Sequence, residues 1–291
     1  MDTSIAALPP IRTAAAGDWP VIMVHLDLGS PNTALLWTAR MLGERFGATI
    51  IGIAACEPIQ LDYSSDYVPI NLIEQDQAAM ADAVSAAEAA FRSALRELPG
   101  KVEWRSRTAF AILVDYVADQ ARCADLVVMT ASSDGAFGGS RRISAGDLVI
   151  GCGRPVLVLP PDAVARRLQR VMVAWKDTRE SRRAIVDALP LLRAAAHVGL
   201  VELTKSAGLD EARSRLTDVA TWLSRHSVAA SVTIVPARDD DAAQLLAIAR
   251  EQDADVIVAG AYGHSRLREW ALGGVTRDLL AQQECSVLLS H

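Results

Sequence analysis

The residues with the clearest chemistry are glycines. Gly260-Ala261-Tyr262-Gly263 follows the apolar run Val256-Ile257-Val258-Ala259, and Gly273-Gly274-Val275-Thr276 comes after nine intervening residues. A strand that ends in glycines leaves its backbone N–H groups with no side chain in front of them. The second pair opens an amphipathic segment, Val275 to Gln282, whose helix N-terminus would point at the same place. Bare N–H groups and the positive end of a helix suit phosphate. The expectation is a phosphate-bearing ligand, most simply a nucleotide, in the second half of the chain. His264 and Ser265 adjoin the turn, but no acidic residue stands at a spacing that would orient the histidine. They read as caps or ligand contacts, and no catalytic residue is assigned.

The elements that must position this turn come in two sets. Ile22 aligns with Val171, Asp125 with Asp255 and Val156 with Val287, at offsets of 149, 130 and 131 residues. Each half then reads as five strands alternating with helices. The strands are expected at 21–27, 49–55, 101–107, 125–130 and 155–159, and again at 170–175, 197–203, 229–235, 255–259 and 285–289. Between them, Ala34, Leu35, Thr38, Leu42 and Phe46 share a helical face, as do Ile185, Leu189, Leu192 and Ala196. Leu216, Val219, Trp222 and Leu223 form another such face and read as core. Short apolar strands alternating with helices imply parallel sheets covered on both faces. The fold class is α/β: two tandem five-stranded parallel open sheets of order 3-2-1-4-5, related by a pseudo-twofold axis. The expected divisions are a loose tail at 1–18, a first domain at 19–161 and a second at 162–291, parted at Pro160-Pro161. The fall in offset places an extra stretch in the first half, with Pro58 to Gln77 the candidate.

The totals exclude several classes. Net charge is −6, and there is no basic stripe, so nucleic acid is not an expected partner. No apolar run reaches a membrane span, and the first twenty residues lack the pattern of a signal peptide. Cytoplasm is the expected location. Cys56, Cys123, Cys152 and Cys285 form no ligand pattern and read as buried reduced thiols. Asp239-Asp240-Asp241 reads as a helix N-cap, so no metal site is assigned. No G-x4-G-K-(S/T) occurs, and the glycine block follows a fourth strand, so neither a P-loop nor a dinucleotide-binding start is present.

In an open sheet of this order, ligands bind where the strand order reverses, between strands one and four. In the second half those strand ends carry Ala174-Trp175-Lys176-Asp177-Thr178 and Gly260 to Gly263. On these residues the chain resembles a tandem universal stress protein over nearly all of its length after the tail. The resemblance rests on G-x2-G-x9-G-(S/T), matched by Gly260, Gly263 and Gly273 and continued by Val275-Thr276-Arg277. It implies glycines against the phosphates of ATP or a related nucleotide, with magnesium accompanying it. It also implies that Ala174, Trp175, Lys176 and Asp177 surround the base and ribose.

Two positions depart from the pattern. Gly274 replaces the hydroxyl residue, leaving Thr276 to supply one. Lys176 takes the place of the strand-one aspartate, and a lysine cannot accept hydrogen bonds from a ribose. The first half keeps Asp27 but has Thr130 and Ser133 where glycines would be needed. It reads as a degenerate partner, and the loop with Gly135, Gly138 and Gly139 reads as flexible.

The leading expectation is a stress-response protein whose second half binds nucleotide and whose halves pack through their fifth strands. The intramolecular pseudo-dimer leaves a homodimer open, and the protein partner is unassigned. Two alternatives stand beside it: a nucleotide-independent interaction module, favoured by Lys176 and Gly274, and a slow ATPase.

Overall fold

Alternation along the strands decides the layering. On the first strand, β1 (Val21–His25), Ile22 and Val24 face one apolar cluster and Met23 faces the other. The same split recurs on β6 (Arg170–Trp175), where Val171, Val173 and Trp175 oppose Met172. Strands apolar on both faces require helices on both faces. The computed structural model describes residues 18–58, 70–98, 100–108, 113–131, 143–161, 167–263, 274–282 and 284–291.

The remaining strands are β2 (Thr49–Cys56), β3 (Val102–Thr108), β4 (Leu126–Thr130), β5 (Val156–Leu159), β7 (His197–Thr204), β8 (Ala230–Pro236), β9 (Val256–Gly260) and β10 (Ser286–Ser290). They form one sheet in the order β3-β2-β1-β4-β5-β10-β9-β6-β7-β8. Each half therefore has the expected 3-2-1-4-5 order. The two five-stranded sheets meet at their fifth strands, as expected, and are joined there into one ten-stranded sheet. The join is antiparallel, with Val156, Leu157 and Val158 of β5 opposite Leu289, Leu288 and Val287 of β10. All six side chains are buried, so each half hides the other's otherwise exposed apolar edge.

One face carries α1 (Thr33–Phe46), α2 (Ile70–Ala94), α5 (Arg179–Asp187), α6 (Leu189–Ala194) and α7 (Leu209–Arg225). The other carries α3 (Leu113–Gln120), α4 (Ala145–Gly151), α8 (Asp241–Glu251) and α9 (Val275–Ala281). The single helix expected over Ile185 to Ala196 is instead α5 and α6, because Pro190 starts a new helix after Ala188. Asp240 caps α8, its carboxylate accepting the Ala243 N–H at 2.9 Å, as the sequence implies.

The extra stretch of the first half lies between β2 and β3. Residues 70–77 of the expected insertion are the start of α2, so that part is helix rather than loop. Residues 59–69 lie outside the described ones. Cys56, Cys152 and Cys285 are buried, but Cys123 is exposed, a correction to the expectation for all four. Among the described residues no helix is long and apolar enough to cross a membrane.

Leu288 sits at the centre of the join, fully buried opposite Leu157. Leu288→Ala should therefore cost about 2–5 kcal/mol of unfolding free energy, the range for emptying a packed leucine site. Urea denaturation checks this, and a loss below about 1 kcal/mol would show that the join is not tightly packed.

Candidate functional site

The order of the sheet places β6 beside β9, so the ends of these two strands meet. Residues 174–177, the first turn of α5, residues 260–263 and the start of α9 converge there. This is the crevice expected from the sequence. Its contents differ from expectation.

Two amides of the glycine turn, those of Ala261 and Tyr262, are already engaged. Ala261 N–H donates to the Ser290 carbonyl at 2.8 Å, and the Ala261 carbonyl accepts from His291 Nδ1 at 3.1 Å. Tyr262 N–H donates to Thr276 Oγ1 at 3.4 Å. Thr276 is itself buried, so the hydroxyl expected to meet phosphate is turned inward as a cap. The cradle of uncovered amides is corrected at these two positions: the protein caps them itself.

The glycines are explained by close approach rather than by unusual dihedrals. Neither Gly260 nor Gly263 has a positive φ; within the turn it is Tyr262 that adopts one, at 56°. A Cβ on Gly260 would lie 2.5 Å from both the Glu180 carbonyl carbon and the Ser181 nitrogen. A Cβ on Gly263 would lie 2.9 Å from Glu180 Oε2 and 3.7 Å from Thr178 Oγ1. Gly260 must be small because the backbone of α5's first turn presses on it, whereas at Gly263 the near atom is the movable end of the Glu180 side chain. Tyr262 reaches the other way, placing its hydroxyl against Gly146 on α4 of the first half. The turn is thus also a joint between the halves.

Glu180 is the residue the sequence did not reveal. It is only 3% exposed, and its carboxylate lies against Gly263. Burial pushes its pKa up, but hydrogen bonds from Arg179, from its own backbone N–H and from Thr178 outweigh this and leave it lowered. The N-terminal end of α5 favours the same charge. A fixed anion therefore stands beside the second glycine at neutral pH. From sequence alone, Thr178-Arg179-Glu180-Ser181 reads as an ordinary helix start, with Thr178 accepting the Ser181 N–H at 3.3 Å.

The strand-one residues also differ from expectation. Ala174 serves the β6–β9 ladder opposite Ala259. Trp175 is 7% exposed and points into the core opposite Glu202 rather than bordering an open pocket. Among the described residues its indole N–H has no partner, and neither has Glu202 Oε2, although Glu202 pairs with Arg215 of α7. Lys176 is exposed, and Asp177 Oδ1 accepts from Arg182 at 2.6 Å. Gly274 is the N-cap of α9 and Val275 its first residue, and among the described residues no side chain caps that helix. His264, Ser265 and Gly273 lie outside the described residues.

The first half repeats part of the arrangement. Ala131 N–H donates to the Leu159 carbonyl at 2.7 Å, matching Ala261 and Ser290. Asp27 is folded into a turn in which Asn32 donates to its carbonyl at 2.8 Å and Ser30 to its Oδ2 at 3.2 Å. His25 is buried at the end of β1, and desolvation, opposed by Asp27, lowers its pKa to about 4. Its imidazole is neutral at pH 7. Ser133, Gly135, Gly138 and Gly139 lie outside the described residues. Among the described residues no group of His, Cys, Asp and Glu side chains gathers as metal ligands.

Comparison with known proteins follows from this geometry. The model of the universal stress protein family matches residues 167–291. That match spans the second half of the chain. The whole fold is similar to a universal stress protein from Archaeoglobus fulgidus, with TM-score 0.69 at 13% identity over 94% of this chain and 96% of that one. It is also similar to a functionally unknown protein from Pseudomonas aeruginosa, with TM-score 0.59 at 17% identity over 94% and 92%. At these identities the likeness is one of fold. No curated protein matches the chain significantly. The universal stress protein fold thus runs through both halves, and the glycine turn of the second is packed against α5.

The lowered pKa of Glu180 gives a pH signature. Its ionised form stabilises the fold fully above the ordinary glutamate value of 4.5, and that contribution is lost as pH falls through the folded value. The stability gap between the wild type and Glu180→Gln should be flat near pH 7 and shrink on acidification below about pH 4.5. A gap that stays constant down to pH 3 would contradict this assignment of the charge.

Proposed function

We propose that this chain is a universal stress protein that acts in stress response through contacts with other proteins, and that ATP does not occupy its second-half crevice. The observation that carries this reading is the Glu180 carboxylate lying against Gly263. A phosphate brought to the same turn would meet that charge. Two like charges about 4 Å apart repel by roughly 4 kcal/mol at an effective dielectric constant near 20. That is about three decades of affinity. The engaged amides of Ala261 and Tyr262 add a second obstacle, since phosphate would have to displace their protein acceptors.

The site does not fit ATP with magnesium as it stands, so no chemical step is derived through that group. The ATP reading keeps one observation in its favour, the spacing of Gly260, Gly263 and Gly273. Close helix packing accounts for Gly260 without a ligand, and the Glu180 carboxylate fills the space that Gly263 leaves. A slow ATPase would need the same occupied crevice.

Equilibrium dialysis with labelled ATP separates the readings. The wild-type chain should show no saturable uptake up to millimolar ATP. Uptake of one equivalent that disappears in Gly263→Val would overturn the proposal in favour of nucleotide binding. Glu180→Ala removes the anion and opens space at Gly263, and should bind ATP more tightly than the wild type does.

A further inference from the structure

The two outer strands of the ten-stranded sheet are pseudo-equivalent but chemically different. β3 carries Glu103, Arg105 and Arg107, and Arg105 pairs with Glu103 at 3.4 Å. Charges on an edge discourage another strand from adding to it. β8 carries no charge, and its one blunting residue is Pro236 at its last position. Its seven residues, Ala230-Ser231-Val232-Thr233-Ile234-Val235-Pro236, are uncharged and mostly β-branched or small. It pairs with β7 on one side, and among the described residues no strand lies on the other. Val232 is 42% exposed, one of three large apolar side chains that stand out among the described residues. Ala230 and Ile234, on the same face of the strand, pack against the core below α7 with Val219 and Trp222.

We infer that β8 is a dimerisation edge that takes β8 of a second copy of this chain in antiparallel register about Thr233. An unpaired strand edge is satisfied by another strand, and a twofold axis makes one edge its own complement. Of the three ways to join two copies edge to edge, only this one is free of charge. Pairing β3 with β3 about Arg105 would oppose two guanidinium groups. Pairing β3 with β8 would set Arg105 or Glu103 against Val232 and Ile234, and would generate an open chain rather than a closed pair.

In the register about Thr233, the two threonines face one another, a favourable cross-strand pair. Val232 of each copy lies opposite Ile234 of the other, which covers the exposed valine. Ser231 lies opposite Val235. Seven residues make a strand about 24 Å long. A single pairing of strands this short is a small interface, so the dimer should dissociate on dilution. The inference uses residues remote from the glycine turn and stands apart from the proposal about ATP.

Sedimentation velocity across a micromolar to submillimolar series tests it. The wild type should pass from monomer to dimer. Thr233→Lys and Thr233→Glu should each remain monomeric, with circular dichroism spectra matching the wild type. Mixing the two variants should restore the dimer, because lysine then faces glutamate. A wild type that stays monomeric throughout would overturn the inference, whatever other partner the edge takes. So would a dimer that survives either variant, or one that mixing fails to restore.

Discussion

The first turn of α5 lies closer to the end of β9 than any side chain larger than hydrogen would allow. A Cβ at Gly260 would come within 2.5 Å of the backbone at Glu180 and Ser181. Much of the second half's geometry follows from this contact. It fixes where the β6–α5 loop runs and holds Glu180 beneath Gly263. It leaves Thr276 and Ser290 as the partners of the turn's amides. Glycine at 260 is then a packing requirement, and at 263 it leaves room for the Glu180 carboxylate. The same residues that would let a backbone approach a phosphate here let it approach a helix.

Burying a carboxylate is costly unless it is hydrogen-bonded and its charge is compensated. Glu180 meets that condition through Arg179, Thr178 and its own backbone N–H. The charge is local to the second half. In the first half the corresponding loop is closed differently, by Asn32 and Ser30 around Asp27. Two copies of one architecture thus close the same crevice by unlike means, with the Ala131–Leu159 and Ala261–Ser290 hydrogen bonds common to both.

Period and repetition made the fold legible. Strand positions fell within a residue or two of those read from apolar runs, and the offsets between the halves located the longer connection that α2 occupies. The joining of two sheets into one was legible as well: the apolar fifth strands implied a pairing that would hide their edges, and β5 and β10 form it. The α5–α6 break was visible in Pro190 and overridden by the apolar periodicity around it. The site was less legible. Glycine spacing reports that something approaches the backbone and does not say what. A glutamate in the first turn of a helix is common as an electrostatic cap. Nothing in its local sequence tells that Glu180 is buried against a turn some eighty residues on. Trp175 shows the same limit, since strand alternation sends it into the core only once the face of β6 is known.

The central claim is that the glycine turn is closed by the protein itself. Hydrogen exchange at the Ala261 and Tyr262 amides, measured with and without millimolar ATP, tests it most directly. Both amides should be strongly protected in the free protein and unchanged by the nucleotide. Rapid exchange that ATP suppresses would mean that the amides are open to an anion, and would contradict the account.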